Sequence, residues 1–293
     1  MIRLGIIGLS DGNGHPFSWA AIANGYDPHW MAQCGFPAIP QYLSRQVFPD
    51  DFLPGAHVSH VWTQSRETSV LIARASRIEN VCSTPEEMIG QVDALLLARD
   101  DAENHYELCA AFLKAGLPVF IDKPLAYSEK EARKILDAQT FSGQVFSTSA
   151  IRFAHEVFLS HEEASRIGKI VSIDAETPGT WGKYGMHLID PILQIFGYGW
   201  SVKKSIIQKK ASFIRLLLES DEFLLSFSTP GFSSIPIRFR YFGENGFLEK
   251  RMSDPFQAFR RSLERFLQVI QDPTCSISEM EMLRAVQILE MAL

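Results

Sequence analysis

Three short stretches of this chain carry side chains suited to chemistry. Phe120-Ile121-Asp122-Lys123-Pro124 sets an amine just after a short apolar run. If that run is a strand of a parallel sheet, Lys123 stands at the carboxyl edge, where doubly wound folds bind ligands. An ammonium there can hydrogen-bond a substrate hydroxyl and stabilise the alkoxide that develops from it. A surface lysine after an edge strand meets the same pattern. Further on, Lys183-Tyr184-Gly185-Met186-His187-Leu188-Ile189-Asp190 places His187 and Asp190 three residues apart, hence on one face of a helix. Histidine is the usual general base near neutral pH, although a buried, hydrogen-bonded histidine would also fit. The third stretch is Gly5-Ile6-Ile7-Gly8-Leu9-Ser10-Asp11-Gly12-Asn13-Gly14. A glycine turn between strand and helix lets backbone N–H groups approach a pyrophosphate. Strict G-x-G-x-x-G spacing is not met, because Ser10 and Asn13 stand where the second and third glycines belong.

Such residues need a frame. Ile2–Ile7, Val58–Gln64, Asn80–Cys82, Val92–Ala98 and Leu117–Ile121 read as strands. Helical patterns over Glu103–Ala115 and Ser128–Thr140 alternate with them, the second opening on the Ser128-x-x-Glu131 capping box. This rhythm predicts a parallel, doubly wound sheet. Residues 24 to 56 interrupt it with five prolines and several aromatics, predicting an insert that packs over the sheet or covers a site. After about residue 150, Lys169–Glu176, Ser205–Gln208, Ser212–Glu219, Glu222–Ser228 and Pro236–Phe242 read as successive strands of an antiparallel sheet. Met186–Phe196, Pro255–Gln271 and Ser278–Ala292 read as helices. The expected fold is therefore α/β, an N-terminal Rossmann-type sheet followed by an α+β domain with an open, mostly antiparallel sheet. The expected domains are residues 1–124 and 125–293.

Composition bounds the function. The chain has 293 residues, a net charge of −6 and 46% hydrophobic residues. That acidic balance argues against a nucleic-acid partner. No apolar run is long enough for a membrane span. The four cysteines, Cys34, Cys82, Cys109 and Cys275, lack metal-ligand spacing, so no metal is expected. Scattered cysteines and a short apolar N-terminus point to a reducing compartment, the cytoplasm.

Taken together, the glycine turn, Asp101–His105, the run Ala115-Gly116-Leu117-Pro118-Val119-Phe120-Ile121-Asp122-Lys123-Pro124, the pair Arg152-Phe153 and Gly185-Met186-His187-Leu188-Ile189-Asp190 resemble the glucose–fructose oxidoreductase, inositol dehydrogenase and rhizopine-catabolism family (Gfo/Idh/MocA). The resemblance implies a nicotinamide-dependent oxidoreductase acting on a hydroxyl or keto carbon of a sugar or sugar-derived substrate, with a link to bacterial surface-sugar biosynthesis. It makes Lys123 and His187 the catalytic pair, meeting beside the nicotinamide. Asp190, Lys183, Arg152, Tyr184 and Trp181 would line the substrate. Gly8, Ser10, Gly12, Asn13, Gly14, Ser65, Arg66, Asp101, His105, Asp122 and Lys123 would bind the cofactor. NAD and NADP both remain open, but the acid expected after the second strand is replaced by Thr63-Gln64-Ser65-Arg66, which leans toward the 2′-phosphate of NADP. The family's Asp four residues before the His is Lys183 here. That departure leaves a non-catalytic NAD(P)-binding sensor or regulatory protein as the alternative. An open sheet face needs cover, so a homodimer or homotetramer through the second domain is expected.

Overall fold

The computed structural model describes residues 1–232 and 235–293. Two six-stranded sheets organise two compact units.

The first unit comprises Met1–Thr148 and Phe259–Glu279. Its strands are β1 (Ile2–Ile7), β2 (Ala56–Trp62), β3 (Asn80–Val81), β4 (Ala94–Leu97), β5 (Val119–Ile121) and β6 (Val145–Ser147), in the order β3-β2-β1-β4-β5-β6. All pairings are parallel. Buried parallel strands read as continuous apolar runs because both faces are covered; Leu95, Leu96 and Leu97 are wholly inaccessible to solvent. Helices α1 (His15–Asn24), α2 (Pro28–Met31), α3 (Ala38–Leu43), α4 (Arg66–Ala75), α5 (His105–Lys114) and α6 (Glu129–Leu136) connect the strands. Ser65 and Ser128 cap α4 and α6 through their hydroxyls, satisfying N–H groups that a helix start leaves without partners. Trp19 stacks on Phe120 at 4.7 Å, and Phe120 in turn meets Phe146 and Phe266. Each such buried ring contributes about 1.5–3 kcal/mol by leaving water.

The stretch 24–56 folds into α2, α3 and turns against α1. The Tyr42 hydroxyl donates to Ser18 Oγ at 2.5 Å. Phe36 and Ile39 crowd Gly14 so closely that a Cβ there would lie within 2.6–2.7 Å of them. The insert thus braces the start of α1, and Gly14 is what permits the approach.

The second unit comprises Ser149–Ala258 and Met280–Leu293. Its sheet runs β12-β11-β7-β10-β9-β8, from β7 (Ile170–Glu176), β8 (Lys204–Lys210), β9 (Phe213–Glu219), β10 (Leu224–Thr229), β11 (Arg238–Gly243) and β12 (Gly246–Arg251). Among the described residues of this sheet, only β7 and β10 pair in parallel. Helices α7 (His161–Ile167), α8 (Trp181–Tyr184), α9 (Met186–Phe196) and α11 (Glu279–Glu290) accompany it, while α10 (Pro255–Gln271) runs from this unit's last residues into the first unit's.

These units differ from the division at 124/125. Helix α6 and strand β6 lie with the Rossmann sheet, and so does the segment 259–279. The physical reason is pairing: Val145–Ser147 adds a sixth parallel strand beside β5, and Phe266 fills the core under Phe120.

Candidate functional site

Parallel strands end on one edge. Here Ile7, Leu97 and Ile121 are register partners, and Trp62 pairs with Ile7. The backbone ladder continues one step past each strand: Gly8 N donates to Trp62 O, Ala98 N to Ile7 O and Asp122 N to Leu97 O. The glycine turn, Thr63–Arg66, Arg99–Asp101 and Asp122–Pro124 are thereby gathered at the carboxyl edge of the first sheet, as the topology requires.

Within this cluster the carboxylates do most of the holding. Asp122 is 1% exposed. Its Oδ2 accepts from Asn13 Nδ2 at 2.8 Å and lies 2.5 Å from His15 Nδ1, while Oδ1 accepts from Lys123 N at 2.8 Å. Burial alone would push this carboxyl up, but His15, the Lys123 ammonium and the Asn13 amide hold it down at about 2. Asp100 accepts from Ser10 Oγ at 2.7 Å and lies 3.8 Å from Lys123 Nζ, both charges being buried. Lys123 is therefore held by Asp100 through its amine and by Asp122 through its backbone.

Several residues expected to touch ligand turn out to be scaffolding. Ser10 and Asn13 are buried, with side chains committed to Asp100 and Asp122. Asp122 spends both oxygens inside the cluster. His105 is fully buried; its Nε2 faces Arg99 O at 2.9 Å and its Nδ1 faces Leu125 O at 3.1 Å. Burial lowers its pKa, and the neutral ring has a single N–H for those two carbonyls. It ties the loop after β4 to the turn after β5, so the cofactor contact expected of it is corrected: both ring nitrogens face backbone carbonyls. Asp101 is paired with Arg99 and accepts from Asn104 at 2.7 Å; despite the opposing effect of burial, these partners lower its pKa.

A dinucleotide nonetheless fits the backbone. Among the described residues, the N–H groups of Ser10, Gly12 and Gly14 have no acceptor, which leaves donors for an anion at the turn. Gly12 has φ +74°, a conformation that favours glycine, and a Cβ on Gly8 would lie 2.2 Å from Pro16, so Gly8 lets the turn pack against the start of α1. Beside it, Trp62, Thr63, Gln64, Arg66, Cys82 and Ser83 line a pocket of about 290 Å³. Gln64, part of the run read as leaning toward NADP, instead clips the turn by accepting from Leu9 N at 3.2 Å and donating to Leu9 O at 2.6 Å. Arg99 Nη1 donates to the same amide oxygen at 2.9 Å. Ser65 is spent as the α4 cap, leaving Arg66 on the pocket wall.

In the second unit, helix α9 presents His187 and Asp190 to the turn 149–153. His187 Nδ1 lies 2.6 Å from Ser149 Oγ, and Asp190 accepts from Ser149 N. Arg152 Nη1 reaches the Asp190 carbonyl at 3.5 Å and pairs with Glu281 at 2.6 Å. The Tyr184 ring stands edge-on to His187 at 5.4 Å. Lys183 is half-buried one residue before it. Asp190 is 4% exposed, so its oxygen serves the fold rather than open solvent. Trp181 is buried, donates to Leu289 O at 2.8 Å and packs near Phe227; it is core, which corrects the substrate-lining place expected of it. Ser149, Asp100, His15 and Glu281 were missed, because each acquires meaning only through a partner distant in sequence.

Among the described residues, no group of His, Cys, Asp or Glu is placed to hold a metal ion, and no helix is long and apolar enough to cross a membrane. Residues 35–150 match the model of the oxidoreductase family with NAD-binding Rossmann fold, Gfo/Idh/MocA. No curated protein matches. Solved structures with the same fold include myo-inositol 2-dehydrogenase from Lactobacillus plantarum, at 14% identity and TM-score 0.72, over 99% of this chain and 95% of that one. Another is myo-inositol dehydrogenase from Corynebacterium glutamicum, at 14% and 0.67, over 99% and 94%. A third is a 3-ketoreductase from Actinomadura kijaniata in complex with NADP, at 15% and 0.70, over 99% and 96%. At these identities the likeness establishes the fold. The family match over residues 35–150 and these neighbours thus make the chain similar in fold to the Gfo/Idh/MocA oxidoreductases.

Proposed function

We propose that the protein is an NAD(P)-dependent oxidoreductase that interconverts a hydroxyl and a keto group on a sugar or sugar-derived substrate. The observation that carries this is the edge of the first sheet, where a glycine turn with unspent N–H donors adjoins an amine, Lys123, held by two buried carboxylates. The dinucleotide, when bound, supplies the acceptor or donor of a hydride. The unspent N–H groups of Ser10, Gly12 and Gly14 would hold its phosphates. Lys123 hydrogen-bonds the reacting oxygen and stabilises negative charge on it. His187 exchanges the proton of that oxygen. Tyr184 and Lys183 flank His187 in sequence and contribute to substrate recognition.

Arg66 on the pocket wall supports NADP as the preferred cofactor, since a guanidinium recognises phosphate well. The fold's neighbours include dehydrogenases of inositols and a ketoreductase, which supports a polyhydroxylated ring as substrate. Sugars tied to surface-polysaccharide assembly, among them amino sugars and sugar nucleotides, belong in the panel to be tried. The regulatory alternative draws on Lys183, which stands where the resemblance expects an acid.

The test follows NAD(P)H absorbance with cyclitols, sugars, keto-sugars and sugar nucleotides. We expect turnover with at least one of them, and Lys123→Met to lower kcat/KM by on the order of 100-fold or more. Cofactor binding without redox change across the panel would favour the regulatory reading. An active Lys123→Met protein would remove Lys123 from the mechanism.

A further inference from the structure

One polar contact in the second unit is not accounted for by the resemblance. Ser149 has no solvent exposure. Its backbone N–H donates to Asp190, and its hydroxyl oxygen lies 2.6 Å from His187 Nδ1. Ile151 N donates to the same oxygen at 3.2 Å. One residue thus grips two positions a helical turn apart on α9. It does so from a turn that Arg152 also anchors, through the Asp190 carbonyl and Glu281.

We propose that Ser149 is the positioning residue of His187. Its Oγ accepts the Nδ1–H hydrogen bond and so fixes the tautomer in which Nε2 carries the lone pair.

The hydrogen-bond inventory admits this assignment. A hydroxyl oxygen offers two lone pairs and one donor. Ile151 N–H takes one lone pair and leaves the other for Nδ1–H; donation by the hydroxyl to a bare Nδ1 is the competing arrangement, and the spectra below separate the two. With Nδ1 protonated, a neutral imidazole exposes Nε2 as an acceptor, which is the state a general base requires. An acceptor on Nδ1 is commonly a carboxylate, and the resemblance expects one at 183, where this chain has Lys183. Ser149 supplies the acceptor from a different part of the chain. Being neutral, it orients the ring as a carboxylate would but stabilises the imidazolium less. The Tyr184 ring stands edge-on to the imidazole, and Asp190 and Arg152 meet the same turn as Ser149. Asp190 works through Ser149, because its carboxylate holds the serine backbone.

The consequence for the reaction rests on the proposed function. In oxidation Nε2 would take the hydroxyl proton, and a bound nicotinamide would supply the hydride acceptor. Nδ1–H stays on Ser149 Oγ throughout. Reduction returns the same proton from Nε2 to the oxygen.

The tautomer can be read without activity. Two-bond ¹H–¹⁵N correlation spectra of the full-length protein, with His187→Gln to assign the signals, distinguish a protonated ring nitrogen from a bare one. We expect neutral His187 to be Nδ1–H in the wild type. Ser149→Ala should move the population toward Nε2–H, the form free imidazole favours. A wild-type ring that is Nε2–H overturns the proposal even if the variant fails to fold, and so does a folded Ser149→Ala protein with an unchanged tautomer. In turnover, Ser149→Ala should lower kcat by on the order of 10- to 100-fold with little change in KM. Its acidic limb should shift to lower pH, where a merely structural loss would scale the profile without moving it. Nδ1–H without turnover on any substrate would sink the proposed function and leave the tautomer assignment standing. Turnover with Nε2–H would do the reverse.

Discussion

Replacing Asp122 by Asn removes one buried negative charge and almost no volume. The carboxylate receives hydrogen bonds from Asn13 and the Lys123 backbone, both at 2.8 Å, and stands 2.5 Å from His15 Nδ1. Its pKa is about 2 in the folded protein against an ordinary 3.8. At 1.36 kcal/mol per pH unit, the difference amounts to about 2 kcal/mol. Because the folded value is depressed, that stability is fully present above the unfolded pKa and is lost as pH falls from there through the folded one. Roughly half is gone by pH 3. Asn can still accept from the Lys123 backbone but cannot offer His15 or the Lys123 ammonium a charge. Asp122→Asn should therefore destabilise the first unit by about 2 kcal/mol at pH 7, lowering its Tm by about 4–8 °C. The gap should narrow by about half at pH 3. Urea unfolding of both proteins at the two pH values, followed by circular dichroism, measures it. Equal midpoints at pH 7 would show that burial of the charge cancels what its partners return. A gap that grows on acidification would refute the sign of the linkage.

Two further outcomes follow from the surfaces of each unit. Arg66→Ala should raise the KM for NADPH by about 10-fold or more while changing that for NADH little, because a charge-assisted hydrogen bond contributes about 1.5–3 kcal/mol; an unchanged ratio of the two KM values would remove Arg66 from cofactor choice. On the second sheet, Ile206 and Leu224 are 41% and 52% exposed and line one concavity of about 470 Å³ with Leu217, Arg215 and Asp174. We expect this face to be covered in a homodimer or homotetramer, so light scattering should report a multiple of 33.0 kDa and Leu224→Lys should shift it toward the monomer; a wild-type monomer at micromolar concentration would reject the interface.

Much of the frame was legible because it rests on short-range signals. The run Val92-Asp93-Ala94-Leu95-Leu96-Leu97 has the unbroken apolar character of a strand covered on both faces, and β4 forms there. Helix α9 begins at Met186 and ends at Phe196, just before Gly197, as the apolar period and a glycine stop suggest. Strand β6 was missed: three residues, Val145–Ser147, are too few to show a period, and only pairing beside β5 makes them a strand. Strand β12 was missed as well, because Gly246–Arg251 is a half-exposed hairpin arm with only Phe247 and Leu248 apolar. The same limit governs the candidate site. Lys123 and His187, the proposed pair, stand in recognisable local motifs. Ser149, Asp100 and His15 acquire partners 38, 23 and 107 positions away, and nothing in their immediate neighbourhood announces it.

The buried polar groups show why the departures from family spacing need not be defects. A turn with Ser10 and Asn13 in place of glycines loses closeness at two positions, but each side chain gains a buried carboxylate partner, Asp100 and Asp122. Those same carboxylates hold Lys123. The glycine turn and the amine are thus coupled within one unit through charge, and changing Ser10 should disturb Lys123 through Asp100 without touching it. In the other unit, His187 is coupled to its helix through Ser149 and Asp190. Each of the two proposed catalytic side chains is therefore fixed by a network internal to its own unit. Preorganisation of this kind keeps a reacting group at its working geometry before substrate arrives, and it relocates the specificity of the sequence from the motif residue to the buried group that holds it.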